Sequence, residues 1–537
     1  MAPFTPPQPR RHARDCGQAR GSGTALAMKD KPAFKYLLIA FAAGVASATG
    51  FAPFKLWPVA LAALAVLMWL VREAPTLRSA LARGWWFGLG NFVLGLNWIA
   101  TAFTYQAAMP AWLGWVAVVL LSLYLAVYPA IAAGLAWRWG RTDPLRLTLV
   151  FAAAWIVTEW LRATMFTGFA WNPVGVTLLP TPVAHSATLI GTYGLSGLVF
   201  LLAGLLLMAH ARRWRGLAMV AAGVAALTGL SFLLSPTAEQ KAGIAIRIVQ
   251  PNIGQQDKWQ EGFQAENMAR LKRLSAWGKD EPRLLLWPEA AVTRPLENGL
   301  ANPAYQLEAA TLRRDVAEML GPGDMLLTGG VTWQSRTGEE VTSATNSVFA
   351  MDRTGRILAR YDKAHLVPYG EYLPMRPVLS ALGLSRLAPG DIDFDFGPGP
   401  QTLDLPIVGK AGFQLCYEII FSGEVVDRKN RPNFLFNPSN DAWFGAWGPP
   451  QHLAQARLRA LEEGLPVLRS TPTGISAVID ADGALLHSLP WRKAGLIDAR
   501  LPAPKPPTLF ARFGNILPFA FAMLLAALAI AVRRKAG

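Results

Sequence analysis

The sequence predicts a polytopic α-helical membrane protein of about eight spans, with a layered α/β domain inserted on the extracytoplasmic side. Three observations predict this fold class. Eight apolar stretches approach the length of a membrane span, basic residues recur in every other loop, and residues 240–505 alternate between short strands and helices. Charged residues make up only 16% of the chain, whereas soluble domains carry about 25%.

The apolar stretches define the membrane part of the chain. Most of them approach the ~20 residues that a transmembrane helix needs. They cover residues 36–54, 56–71, 85–104, 111–137, 147–163, 188–210, 216–235 and 513–532. The short stretch 56–71 fits either a re-entrant segment or a tight pair with 36–54 turned at Pro53, and we favour the pair.

Basic residues orient these spans. They fill the N-terminal tail, alternate loops and the C-terminal end, such as Arg212, Arg213 and Arg215, whereas the loops near 105–110 and 164–187 contain no lysine or arginine. Because basic loops stay in the cytoplasm, both termini are predicted to be cytoplasmic. The net charge of +16 would suggest nucleic acid in a soluble protein. Here topology explains it, and we expect no nucleic-acid partner.

These observations divide the chain into four parts. A basic, disordered cytoplasmic tail covers 1–34, a seven-span domain 35–236, the α/β domain 237–508, and a last helix with a basic cytoplasmic end 509–537. The tail lacks the apolar core of a signal peptide, and Met28 is an alternative start to Met1. Within the α/β domain, turn signals at 352–355 and 480–483 separate runs rich in strand-forming residues, among them AIRIVQ and FQLCYEI, which we predict to be strands.

Three windows of the α/β domain carry polar residues where an apolar run ends. They contain Glu289 in WPEAA, Lys363 and Glu371 in the segment 361–371, and Cys416 in FQLCYE. A carboxylate can take the proton of a thiol, and an ammonium can stabilise both the thiolate and an oxyanion. Singly, such residues are a helix cap, a surface charge and a buried structural cysteine. Together they predict a Glu–Lys–Cys site for nucleophilic acyl chemistry.

The order and local strings of these windows resemble the nitrilase, or carbon–nitrogen hydrolase, superfamily. The string HLVPYGEYLP, with WPEAA upstream and CYE downstream, resembles its membrane branch, the apolipoprotein N-acyltransferases, over about residues 35–535. The resemblance implies an αββα sandwich on the periplasmic side of a bacterial inner membrane. It also implies transfer of an acyl chain from a phospholipid, through a cysteine thioester, to the N-terminal α-amine of a diacylglyceryl lipoprotein.

The resemblance implies roles for individual residues. Glu289 is expected to act as general base, Lys363 as oxyanion stabiliser and Cys416 as nucleophile. Three further residues are expected to support them: Glu371, Tyr417 and Glu418.

Three residues are expected to meet the substrates. Trp259 and Trp171 resemble tryptophans tied to substrate entry or positioning, although an aromatic belt at the membrane interface explains Trp171 equally well. Arg162 lies three residues after Glu159 on one face of a predicted span. The two either pair with each other, which we favour, or Arg162 contacts a lipid headgroup.

Other residue types narrow the chemistry. His365 adjoins Lys363, but Lys363 and Glu289 already fill the roles that a thiol needs, so we expect a structural role for it. Six histidines without paired ligand spacing predict neither a metal site nor a cofactor. Cys16 and Cys416 are 400 positions apart and predict no disulfide framework. We expect a monomer, because the membrane frame prevents the oligomerisation of soluble relatives.

Three other functions stay open on the residues alone. A membrane-anchored amidase acting on small amides would use the same three residues, but one span would suffice to anchor it. A transporter with an accessory domain would need charged or broken spans, which are scarce here. A lipid-binding scaffold would not need an intact catalytic site.

The topology gives a first testable prediction. A reporter enzyme that is active only outside the cytoplasm should be active when fused after Ala238 and inactive when fused after Arg213 or Gly537, because the basic loops hold those two positions in the cytoplasm. Reporter activity of each fusion in cells measures this. Activity of the Gly537 fusion would contradict eight spans.

Overall fold

A computed structural model of the chain describes residue 1 and residues 34–105, 110–238, 243–381, 386–387 and 392–535. Of the predicted tail 1–34, only residues 1 and 34 are described, so Cys16 and Met28 lie outside the described residues. The helices of the predicted membrane part, called the membrane helices below, are α1 (Phe34–Ala48), α2 (Trp57–Arg72), α3 (Leu77–Gly95), α4 (Ile99–Ala102), α5 (Leu113–Leu125), α6 (Val127–Gly140), α7 (Pro144–Thr164), α8 (Ala187–His210) and α9 (Trp214–Leu233).

Each of the eight predicted apolar stretches contains helix. By length and composition, four helical segments within the described residues can cross a membrane, or five when Leu77–Gly95 and Ile99–Tyr105, bent by 47°, count as one span. The remaining three apolar helices are shorter, with 10–17 residues each. They are Phe34–Ala48, Trp57–Arg72 and Ile516–Val532. The eight-span count and the orientation therefore stay predictions.

The α/β domain lies between α9 and the last two helices. Its helices and the two that follow are α10 (Gln255–Lys258), α11 (Glu261–Ser275), α12 (Pro303–Ala317), α13 (Arg376–Ala381), α14 (Gly448–Glu463), α15 (Leu509–Phe513) and α16 (Ile516–Lys535). Its strands are β1 (Ala245–Gln250), β2 (Arg283–Leu286), β3 (Glu297–Asn298), β4 (Met325–Gln334), β5 (Ser343–Asp352), β6 (Ile357–Asp362), β7 (Thr402–Leu405), β8 (Gly409–Phe413), β9 (Phe434–Pro438), β10 (Val467–Ser470), β11 (Ala477–Ile479), β12 (Leu485–Ser488) and β13 (Gly495–Arg500).

The strands form two mixed sheets. One has the order β13-β1-β2-β4-β5-β6, with β3 also paired to β4, and the other has the order β12-β11-β10-β9-β8-β7. The two predicted turns join antiparallel neighbours, β5 to β6 and β11 to β12.

Successive side chains of a strand point to opposite faces of its sheet, so each sheet packs against a different layer on each face. Ile248 and Leu284 of the first sheet share a buried core with Phe436 and Leu468 of the second. Residues of the opposite face of the first sheet, such as Leu285, pack with α11 and α12. The second sheet packs on α14, which belongs to the same core as the membrane helices. The layering is the αββα sandwich that the resemblance implies.

A buried ion pair fastens α14 to the membrane helix α8. Arg459 Nε lies 2.7 Å from Glu462 Oε2, and the two side chains are 1% and 0% exposed. The Oε1 atom of Glu462 accepts hydrogen bonds from the hydroxyl of Thr192 at 2.6 Å and from that of Ser422 at 2.8 Å. Because Thr192 belongs to α8 and Ser422 follows the Cys416 turn, this carboxylate joins the membrane helices to the α/β domain.

Because this ion pair is buried, removal of its carboxylate should lower the stability of the protein much more than removal of an exposed one. Glu462→Ala should lower stability by about 3–5 kcal/mol, because it leaves the Arg459 charge buried without its partner. Glu266→Ala is the matched control, since its pair with Arg270 is exposed and such pairs contribute about 0–1 kcal/mol. Thermal unfolding of the purified protein in detergent measures both. Equal midpoints for the two variants would contradict the role of the buried pair.

Candidate active site

The three predicted windows meet where strands of the two sheets end. Glu289 follows β2, Lys363 follows β6 directly, and Cys416 lies three residues after β8. Gly329 of β4 lets the Glu289 loop approach, because a Cβ atom there would lie 2.6 Å from the Glu289 Cα. Separate strand ends thus place a carboxylate, an ammonium and a thiol at one edge of the sandwich.

Lys363 is the centre of a buried charge cluster. Its Nζ lies 3.0 and 2.8 Å from the two Glu371 carboxylate oxygens and 3.8 Å from Glu289 Oε1. Burial by itself would lower the pKa of Lys363, but Glu371 and Glu289 outweigh it and raise that pKa above its ordinary value. The side chain is 1% exposed. The ammonium is therefore fixed in place and stays protonated.

Asn346 aligns the two carboxylates. Its Nδ2 donates to Glu289 Oε1 at 2.8 Å and to Glu371 Oε1 at 2.9 Å. Glu371 Oε2 also accepts the Val367 backbone N–H at 2.8 Å. The donors fix the orientation of both carboxyl groups toward Lys363. Sequence reasoning missed Asn346, whose position in a strand gives no sign of its partners.

Cys416 stands on a sharp turn. The structure ends β8 at Phe413 and begins a 3₁₀ turn, Cys416–Ile420, where we expected the strand to continue. Cys416 has a φ of +50°, a left-handed conformation that costs a non-glycine residue about 1–3 kcal/mol. The turn ends the strand at the thiol, which lies close enough to Glu289 and Lys363 for both charges to act on it.

The thiol is protonated at rest. Burial is the largest cause that raises the pKa of Cys416, and the Glu289 carboxylate raises it further. Lys363 and a hydrogen bond from the Asn440 backbone N–H act in the opposite direction. A thiolate therefore needs a base to take this proton, and Glu289 is a carboxylate that acts on the thiol electrostatically.

Glu418 ties the Cys416 turn to the Lys363 loop. Its Oε2 accepts the Leu415 N–H at 2.7 Å, and its Oε1 accepts the N–H groups of Ala364 and His365 at 2.7 and 2.9 Å. Burial raises the pKa of Glu418 to about 7, while these donors favour the ionised form. One carboxylate thus holds both loops in register.

A buried polar network lies behind Cys416. His452 Nε2 lies 3.0 Å from the Cys416 carbonyl oxygen, and its Nδ1 lies 2.9 Å from Asp441 Oδ1. Arg469 Nη2 donates to both oxygens of Asp441 at 2.7 Å. All three side chains are fully buried. Sequence reasoning missed them because His452 falls within an amphipathic helix pattern and Arg469 within a short strand.

Trp171 and Arg162 lie under this network. Trp171 is 0% exposed, and its Nε1 donates to Gln451 of α14 at 2.8 Å. Complete burial does not fit an aromatic belt that faces lipid headgroups. Arg162 lies 3.8 Å from Glu159 and donates to the Trp171 carbonyl at 2.8 Å, so the favoured pair is present. Substrate roles for Trp171 and Arg162 stay predictions.

Tyr417 and His365 face the membrane loop 165–173. The Tyr417 hydroxyl donates to the Gly168 carbonyl at 3.4 Å, and His365 Nε2 lies 3.2 Å from the Thr167 carbonyl. Burial lowers the pKa of His365 to about 4, so the ring is neutral at neutral pH. These contacts agree with a structural role for His365, and they connect the site to the membrane helices.

Trp259 lies at the surface next to a buried lysine. It is 38% exposed, and its expected role in substrate entry or positioning stays a prediction. The preceding residue, Lys258, is buried and donates from Nζ to the Glu289 carbonyl oxygen at 2.8 Å. The sequence window QDKW contained this lysine, but nothing in it indicated burial. In the part of the chain that the structure describes, no group of three or more acidic, cysteine or histidine side chains is arranged to hold a metal ion.

Two family models match successive parts of the chain. The family model for the apolipoprotein N-acyltransferase N-terminal domain matches residues 43–205, and that for carbon–nitrogen hydrolases matches residues 245–505. Among solved structures, Nit3 of Saccharomyces cerevisiae, a member of the nitrilase superfamily, aligns with a TM-score of 0.35 and 18% identity, and covers 52% of this chain and 97% of its own.

Curated relatives cover nearly the whole chain. The apolipoprotein N-acyltransferase of Rhodopseudomonas palustris is 36% identical over 526 residues, which are 94% of this chain and 96% of that protein. The apolipoprotein N-acyltransferase of Bradyrhizobium diazoefficiens is 38% identical over 529 residues, 94% of this chain and 95% of that protein. Both family models and these near-full-length relatives agree with the resemblance seen in the residues, and the chain belongs to the apolipoprotein N-acyltransferase family.

Proposed function

We propose that the protein transfers an acyl chain from a membrane phospholipid to the N-terminal α-amine of a diacylglyceryl-cysteine on a lipoprotein. The observation that carries the proposal is the buried assembly of Lys363 with Glu289 and Glu371 next to Cys416. Membership of the family supports lipoprotein N-acylation as the activity. The proposed place is the periplasmic face of a bacterial inner membrane.

The first half-reaction forms a thioester. The Cys416 sulfur attacks the ester carbonyl of the phospholipid while Glu289 takes the thiol proton. The carbonyl oxygen becomes an oxyanion, which the Lys363 ammonium stabilises. The intermediate then expels the glycerol oxygen, which takes the proton from Glu289 and leaves as lysophospholipid. The acyl chain stays on Cys416.

The second half-reaction forms an amide. The α-amine of the lipoprotein attacks the thioester carbonyl, and Glu289 takes a proton from the nitrogen as the bond forms. Lys363 again stabilises the oxyanion. Collapse expels the sulfur, which recovers a proton from Glu289, and the free thiol is restored.

The site's setting favours lipid substrates over small amides. The Cys416 turn contacts the membrane loop through Tyr417 and Gly168, and its core is continuous with that of the membrane helices. Lipid chains entering from the bilayer avoid exposure to water, which costs about 0.8 kcal/mol per methylene. A water-poor site also protects the thioester from hydrolysis. Trp259, Trp171 and Arg162 are the residues that we propose guide the two lipids, and the amidase alternative would need none of them.

The thioester can be tested by mass spectrometry. Wild-type protein mixed with phospholipid alone should gain the mass of one acyl chain, removable by hydroxylamine, on the peptide that contains Cys416. Cys416→Ala should gain none and should lose both half-reactions, whereas Cys16→Ser is the matched control and should behave as wild type. Added diacylated peptide should then remove the label as an amide. Accumulation of lysophospholipid with an unmodified Cys416 peptide would refute the thioester.

The two charged residues should have separable effects on the first half-reaction. Glu289→Gln keeps the shape but removes the base, so acylation of Cys416 should slow by about 10²–10⁴. Lys363→Met should slow it by about 10²–10³, as for loss of an oxyanion donor. Rates of lysophospholipid release measure both. A rate within twofold of wild type for either variant would remove that residue from the mechanism.

A further inference from the structure

Lys258 is a buried charge that the proposed mechanism does not use. It is 4% exposed, and a buried lysine is costly unless something holds its charge. Its Nζ donates to the backbone carbonyl oxygen of Glu289 at 2.8 Å. It therefore binds the loop that carries the proposed base through the main-chain carbonyl of Glu289 and not through the Glu289 carboxylate.

The short helix α10 also touches the nucleophile side of the site. Gln255, at its other end, is 5% exposed, and its Oε1 accepts a hydrogen bond from Asn440 Nδ2 at 2.9 Å. The backbone N–H of the same Asn440 bonds to Cys416. A single turn of helix thus bridges the Glu289 loop and the loop that faces the thiol.

The sum of the charges in the site indicates a function for the Lys258 ammonium. Asp441, a carboxylate that also acts on Cys416, is paired with Arg469. That leaves the Lys363 ammonium and the two carboxylates near it, Glu289 and Glu371. Their sum is one negative charge, which opposes formation of a second anion in a buried site. The ammonium of Lys258 brings the sum to zero. Transfer of the thiol proton to Glu289 then takes place in a neutral cluster.

We propose that Lys258 is a positioning residue of the active site: its ammonium holds the Glu289 loop and supplies the positive charge that lets Cys416 become a thiolate. The inference rests on the proposed role of Cys416 as nucleophile. Its test needs no lipid, so it can fail or succeed independently of acyl transfer.

The charge of Lys258 depends on pH in a useful range. Burial lowers the pKa of Lys258 to about 8, although Glu289 and Cys416 act to raise it. Asp257 lies beside it on α10, and Lys363 and Glu371 lie beyond Glu289. Because the lysine is charged below this pKa and neutral above it, its help to the thiolate is present below about pH 8 and is lost as the pH rises further.

Alkylation of Cys416 by iodoacetamide, followed from pH 6 to pH 10 in a Cys16→Ser background, tests the inference. Below pH 8, Lys258→Met should react about tenfold more slowly than the parent, because loss of a nearby opposite charge raises a thiol pKa by about one unit or more. Above pH 9 the two rates should converge within twofold. Lys258→Arg should keep the parent rate at pH 7, and the exposed Lys429→Met should match the parent throughout.

The parent protein alone provides a second test. Its logarithmic alkylation rate should rise with pH, flatten between about pH 8 and pH 9 as Lys258 loses its proton, and then rise again. Equal rates for Lys258→Met and the parent at pH 7, or a ratio that does not change with pH, would overturn the proposal. Should Lys258→Met not fold, an unbroken slope in the parent profile would overturn it equally. If the alkylation profile is as expected but mass spectrometry finds no acyl chain on Cys416, the proposed acyl transfer is contradicted and the role of Lys258 is not.

Discussion

The buried ammonium of Lys363 is the interaction on which the rest of the site depends. A charge that is 1% exposed is stable only when carboxylates and hydrogen bonds replace its water. Glu371 contacts it directly, Glu289 stands slightly further away, and Asn346 bonds to both carboxylates. The unequal distances separate the two carboxylates: Glu371 forms the close ion pair with Lys363, whereas Glu289 lies 3.8 Å from it, as the proposed role of Glu289 as base requires.

The α/β sandwich is built so that its second outer layer faces the membrane part. In a soluble domain the outer face of α14 would be exposed to water, whereas here Arg459 and Glu462 are buried and both contact Thr192 of α8. The same helix carries His452 behind the Cys416 carbonyl and Gln451 against Trp171. Movement of α14 relative to α8 would therefore displace the turn that carries the thiol, and the membrane helices are part of the site's support.

Much of the fold was predictable because its signals are local. The run AIRIVQ is strand β1 to the residue, and the turns at 352–355 and 480–483 join the strands expected. The end of β8 was not predictable, because the apolar pattern continues through Leu415. Two residues after the strand ends, the Glu418 carboxylate accepts the Leu415 N–H. A side-chain cap of this kind does not change the hydrophobic pattern of the sequence.

Residues of the candidate site could be predicted only where the type of side chain by itself indicates catalysis. Glu289, Lys363 and Cys416 stood out because a carboxylate, an ammonium and a thiol are the groups that nucleophilic catalysis needs. Asn346 contacts Glu289 across 57 positions of sequence, and an asparagine in a strand suggests no such partner. Helices apolar enough to span a membrane were predictable by composition. Their number and orientation in a membrane depend on contacts with the bilayer, and packing within the protein does not determine these.

Backbone strain at Cys416 is maintained by the groups around it. A left-handed cysteine would relax if its neighbours allowed it, but His452 contacts its carbonyl and Glu418 caps the residue before it. His452 is in turn fixed by Asp441, and Asp441 by Arg469. The stability of the sandwich core thus holds the thiol in one direction before substrate arrives. Because this backbone orientation is established during folding, the proposed attack of Cys416 on a lipid ester would need no rearrangement of the turn.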